Sequence, residues 1–219
     1  MTGIVIAWHT PDDRYTNLAN DLSRRLSAIG QPHRFYVVDN HRNEPWAQLI
    51  MRTKTSLWRR AIADYPGAPL MFLDVDCIVN GPLDGAFDFA RNCDVALAFF
   101  MKPRKFYCAT RVFIINPQPA AYRFMARWQD LSSSGLHGTE EGSLCGMLST
   151  QNTAARIKAL PPHLAGLEHG KAPTNAIITH ASAHKHDLPL WKRAEHGARA
   201  AYRALIPKRR AEFNLEDDT

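Results

Sequence analysis

Pro69-Leu70-Met71-Phe72-Leu73-Asp74-Val75-Asp76-Cys77-Ile78-Val79-Asn80 is the stretch that decides how this chain folds and where its chemistry sits. An apolar run of strand length ends in two carboxylates one residue apart. In extended backbone, residues i and i+2 point to the same side, so Asp74 and Asp76 are expected to converge at the end of a buried strand. Close carboxylates repel unless a cation or proton lies between them. Paired oxygens of this kind suit a hard divalent cation such as Mg²⁺ or Mn²⁺. A strand that simply ends in an acidic turn is the plainer alternative.

The pattern around this stretch repeats strand and helix. Ile4–Trp8 reads as a strand. Leu18, Leu22, Leu26 and Ile29 recur at helical spacing and stop at Gly30. Phe35–Val38 is a second strand, and Leu49 to Ile62 forms a second apolar helical face closed by Pro66-Gly67. This order predicts an α/β fold with a mostly parallel sheet flanked by helices. Ligands of such sheets bind at the carboxyl ends of strands, where both aspartates fall. Further on, Asp94–Phe99 and Arg111–Ile115 read as strands around a basic, aromatic loop with Lys102, Arg104 and Lys105. Ala120–Leu131 and Thr139–Leu148 read as helices, Ala176–His180 as a last strand, and Trp191–Ile206 as a last helix.

The 219 residues suffice for one substantial core, and 45% hydrophobic with 22% charged content is that of a globular protein. No stretch approaches the ~20 apolar residues of a membrane span. The short N-terminal apolar run reads as a strand rather than a leader, so a cytoplasmic location is expected. Cys77, Cys93, Cys108 and Cys145 form no Cys-x-x-Cys pair, which argues against a zinc ribbon or redox motif. The net charge of +6 favours an acidic partner.

Four segments, in order, resemble nucleotide-sugar glycosyltransferases of the GT-A fold, close to the galactosyltransferase-like retaining families. They are Phe72–Leu83 with its Asp-x-Asp, Arg111–Pro117 with Ala120, Ala121 and Trp128, Glu140–Leu144, and Ile177–Ser182. The resemblance covers most of residues 1–190 and implies a Rossmann-like fold; with no internal repeat or linker, residues 1–219 read as a single domain, with a nucleotide-binding half over about 1–100 and an acceptor half over about 101–190. A basic helix over about 190–210 then follows. It implies that Asp74, Asp76 and His180 hold Mn²⁺ or Mg²⁺, and that a UDP-sugar is the donor. Asp76 then acts as the most direct metal ligand. Thr10 and Tyr15 meet the base and ribose, Lys54 approaches the donor, and His184 and Lys185 meet diphosphate oxygens. Glu141 faces the donor sugar as a candidate nucleophile or base, and Asn116 contacts sugar hydroxyls.

Several alternatives stand beside these roles. Tyr15 packs equally well on the first helix, Arg52 and Lys54 fit a solvated face, and Glu140 and Glu141 are favoured at a helix N-terminus by the dipole alone. His180, His184 and His186 allow a zinc reading, opposed by the nearby Pro189. Three functions compete. The first is transfer of a sugar to a glycan, lipid-linked sugar or protein. The second is transfer to a hydroxymethylated DNA base. The third is a nucleotidyltransferase or pyrophosphorylase, opposed by the absence of glycine in the loop Ala7–Pro11. The loop of Lys102, Arg104 and Lys105 and the basic residues Lys192, Arg199, Arg203 and Arg209 point to an acidic acceptor, either DNA or an anionic membrane face. A peripheral position at the inner membrane face follows from the second choice.

Overall fold

The computed structural model describes residues 3–39, 45–102, 105–150, 153–166 and 175–180, with backbone alone at 46–47, 100–102 and 105–107. All of these belong to one compact unit, residues 1–181; a second unit, 182–219, lies outside the described residues. So do the expected C-terminal helix, Arg104, His184 and Lys185, and the side chains of Lys102 and Lys105.

The chain opens with β1 (Ile4–His9), α1 (Asp13–Ala28), β2 (His33–Val37), α2 (Trp46–Asp64) and β3 (Leu70–Leu73). It continues through β4 (Cys77–Val79), α3 (Asp84–Ala90), β5 (Val95–Lys102) and β6 (Lys105–Ile115). Helices α4 (Pro119–Ser133) and α5 (Glu140–Ser149) follow, then β7 (Ile157–Leu160), β8 (Ala165–Gly166) and β9 (Ile178–His180). Six strands form one sheet in the order β2-β1-β3-β6-β5-β7, and three short ones form a second, β4-β9-β8. In the large sheet β2, β1 and β3 are parallel, β6 runs against β3 and β5, and β7 is parallel to β5.

Both faces of the large sheet are covered, which is why β3 is apolar at every position. Val5, Ala7, Met71 and Leu73 meet Ala19, Leu22 and Leu26 of α1 in one core. Ile6, Leu70 and Phe72 face the other way, onto Leu57, Trp58 and Ala61 of α2 and Phe124, Met125 and Trp128 of α4. Asp12 caps α1, accepting from the Tyr15 N–H at 3.0 Å, and Gly30 ends it at φ 68°. Thr139 caps α5 by accepting from the Gly142 N–H at 2.9 Å.

One expectation changes. The segment predicted as a basic loop is the end of a hairpin: β5 and β6 stay paired to Lys102↔Lys105, and in sequence the charged residues 102, 104 and 105 are flanked by aromatic ones at 99–100 and 106–107. The short elements α3, β4, β7 and β8 carry too few residues for periodicity to reveal them. No helix among the described residues is long and apolar enough to cross a membrane.

Candidate active site

The chain leaves β3 at Asp74, whose N–H donates to the Arg111 carbonyl at 3.0 Å. It then turns, with the Cys77 N–H donating to the Asp74 carbonyl at 2.9 Å, and enters β4. Asp76 therefore stands in a turn rather than in extended strand, and the turn is what brings it beside Asp74. Strand pairing adds the third group. β9 lies antiparallel to β4 with Cys77 opposite His180, next in chain to Asp76. His180 Nε2 is 3.0 Å from Asp76 Oδ1. Ligand atoms of Asp74, Asp76 and His180 all lie within 4.8 Å of one another. Two carboxylate oxygens and an imidazole nitrogen converging in this way fit a divalent cation such as Mn²⁺.

A second group of charges adjoins the first. Lys54 projects from α2 and is 8% exposed at its side chain. Its Nζ is 2.8 Å from Asp74 Oδ1 and 3.6 Å from Glu140 Oε1. Burial pulls its pKa down, but the carboxylates of Asp74 and Glu140 outweigh burial and hold it above the ordinary lysine value. Glu140 is fixed in turn: Thr110 Oγ1 donates to its Oε1 at 3.3 Å, and Trp128 Nε1 donates to its backbone carbonyl at 3.0 Å. Glu141, next along α5, has no hydrogen bond or ion pair among the described residues. Burial pushes its pKa up; Arg111 opposes that rise and Glu140 adds to it. A small cavity beneath Asp74 is lined by Trp8, Lys54, Leu57, Phe72 and Thr110.

An irregularity in β6 delivers two of these side chains. Leu97 and Ala98 are consecutive in β5, yet they pair with Phe113 and Ala109. Residues 110–112 thus bulge out of the β5 pairing, and bulges re-aim side chains at sites. Thr110 reaches Glu140, and Arg111 Nη1 lies 3.4 Å from His180 Nδ1. Sequence reasoning did not assign either residue a role in the site. The available signal was a polar pair, Thr110-Arg111, interrupting an otherwise apolar strand from Cys108 to Ile115.

Other expected residues divide. Burial raises the Tyr15 hydroxyl pKa to about 12, with Asp76, Asp12 and Asp74 adding to the shift, so Tyr15 faces the acidic pair. Thr10 is buried and its hydroxyl donates to Asp12, bracing the loop before α1; that hydroxyl is committed within the protein. Asn116 requires a correction. It follows the last residue of β6, five residues beyond Arg111 and roughly 17 Å along an extended chain, and so at the opposite end of the sheet. Its Nδ2 donates to the carbonyls of Ala90 and Cys93 at 2.7 and 2.6 Å. Those bonds tie down the end of α3, so the buried amide serves the fold rather than the site.

No protein-family model and no curated protein matches this sequence. Solved structures do match its fold. A glycosyltransferase involved in glycosylation of the major capsid of PBCV-1 superposes with a TM-score of 0.66 at 15% identity, covering 90% of this chain and 98% of that one. Mouse xyloside xylosyltransferase 1 gives 0.57 at 9% identity, over 84% and 98%. The glycosyltransferase GlyE of Streptococcus pneumoniae gives 0.53 at 16% identity, over 82% of this chain and 55% of its own. What such distant sequences hold in common is architecture, and by that measure this chain has the GT-A fold of glycosyltransferases.

Proposed function

We propose that this protein is a glycosyltransferase that moves a sugar from a nucleotide-sugar donor to an acceptor hydroxyl. The convergence of Asp74, Asp76 and His180 at the carboxyl end of β3 carries the reading. These residues would hold Mn²⁺ or Mg²⁺, which supplies positive charge for the departing diphosphate without proton transfer. In the transfer, the bond between the anomeric carbon and the phosphate oxygen breaks, and the diphosphate leaves with the electron pair. The acceptor oxygen forms the new bond and gives up its proton.

The protein's own groups orient these events. Lys54 fixes Asp74 and Glu140 relative to each other, so the acidic wall of the site is set before substrate arrives. Glu141 remains an unpartnered, partly buried carboxylate beside that wall. It can take the acceptor proton or face the positive charge that develops on the sugar ring. Tyr15, whose hydroxyl feels the charges of Asp76 and Asp74, would cover the nucleotide base. UDP is the nucleotide of choice, by resemblance to the galactosyltransferase-like families. The acceptor is a hydroxyl of a glycan, lipid-linked sugar or protein, the class favoured by the same resemblance.

The test is release of nucleoside diphosphate from a panel of UDP-sugars with Mn²⁺. Activity is expected to vanish in chelator and in Asp76→Ala, with the fold intact by circular dichroism. Full turnover in excess chelator would remove the metal assignment, and no turnover or binding of any nucleotide sugar would remove the function.

A further inference from the structure

The mechanism above leaves one charged group in the site without a task. Arg111 sits in the β6 bulge, half-buried, beside His180 and near enough to Glu141 to act on its charge. Lys54 is already engaged by two carboxylates. The Arg111 guanidinium forms no ion pair among the described residues, and its hydrogen-bonding contact is the His180 ring nitrogen at 3.4 Å. A guanidinium fork is built for two parallel bonds to an oxyanion, and a neutral imidazole nitrogen uses little of it.

We propose that Arg111 is an oxyanion-binding residue of the donor site. The oxyanion is a phosphate of the diphosphate or a carboxylate on the transferred sugar. The assignment rests on the nucleotide-sugar reading. It also follows from the chemistry of His180. Arginine only donates, so its contact with Nδ1 needs the lone pair there and puts the ring proton on Nε2, facing Asp76. A divalent cation on Nε2 requires the opposite tautomer, with the proton on Nδ1. Two donors cannot face each other, so an ion held by Nε2 would cost the guanidinium its His180 contact. The fork would then be open to an oxyanion of the donor.

Calorimetric titration of wild type, Arg111→Gln and Arg111→Lys tests this, using inorganic pyrophosphate, UDP-glucose and UDP-glucuronate with Mg²⁺, and Mn²⁺ alone. Arg111→Gln is expected to weaken anion binding at least ~10-fold while Mn²⁺ affinity holds or rises; Arg111→Lys should retain part of the affinity. Equal loss for all three anions identifies a phosphate as the ligand. Loss confined to UDP-glucuronate identifies a sugar carboxylate. Arg111-dependent binding of pyrophosphate without binding of either nucleotide sugar would keep this assignment and sink the nucleotide-sugar reading. The proposal is overturned if wild type binds none of the anions or if Arg111→Gln binds all three normally. A loss of Mn²⁺ affinity equal to the anion loss also overturns it, because Arg111 would then act only through His180. If Arg111→Gln does not fold, Arg111→Lys decides: unchanged affinity for all three anions refutes the fork.

Discussion

Replacing Lys54 by methionine keeps much of the side-chain volume and removes the charge between Asp74 and Glu140. At an effective dielectric of about 20, unit charges 2.8 Å apart attract by about 6 kcal/mol, and charges 3.6 Å apart by about 4.6 kcal/mol. Desolvating the ammonium offsets most of that sum. Breaking a buried pair from one side nevertheless costs about 3–5 kcal/mol, because the partner charge stays behind. Asp74 is 25% exposed at its side chain and Glu140 15%, so the orphaned acids keep some contact with water. That places the expected loss near the lower end, about 3 kcal/mol. For a domain of this size it lowers Tm by roughly 6–12 °C. The same change should make the site more responsive to cations, since nothing then competes for Asp74. Thermal melts with chelator and with saturating Mn²⁺ read both effects. The variant should melt well below wild type in chelator and recover a larger share of its Tm with Mn²⁺. A Tm within about 2 °C of wild type in chelator, or an identical Mn²⁺ shift, would refute the view that Lys54 substitutes for part of the charge balance at Asp74.

Glu141→Gln should lower kcat by at least ~100-fold with little change in nucleotide affinity, and a near-normal kcat would leave Glu141 only its place in the first turn of α5. Burial raises the folded pKa of Glu141 above 4.5, so its charged form opposes folding as pH rises through that raised value. The variant should accordingly be more stable than wild type at pH 7 and converge with it below pH 4.5 in pH-dependent melts. Asp94 behaves oppositely. Burial raises its pKa, but its bonds from Arg156, including a backbone N–H at 2.7 Å, outweigh burial and lower it. Its contribution is complete above the ordinary value of 3.8 and fades as pH falls through the lowered one. Asp94→Asn should cost about 1–3 kcal/mol at neutral pH and nothing at the acid limit, measured by urea melts, with catalysis unchanged.

The sequence by itself determined the central strands and covering helices, and where the paired carboxylates fall. The four-residue apolar run Leu70–Leu73 fits a strand covered on both faces, and Leu18, Leu22, Leu26 and Ile29 share a face in a helix but not in a strand. Both are local periodicities, so both are legible without partners. The carboxylates ending β3, and the acids opening α5 behind Thr139, were legible for the same reason. Tertiary structure alone decided how those groups meet. The Asp74–Cys77 turn, the pairing of β4 with β9, and the bulge at residues 110–112 depend on segments as much as about 100 residues apart in sequence. No local pattern records such a register. For that reason Lys54 could be read as a solvated face although it is a buried counter-ion, and Asn116 as a sugar ligand although it is a brace at the far end of the sheet. Arg111 and Thr110 gained their places because three extra residues in one strand had to bend away from its neighbour.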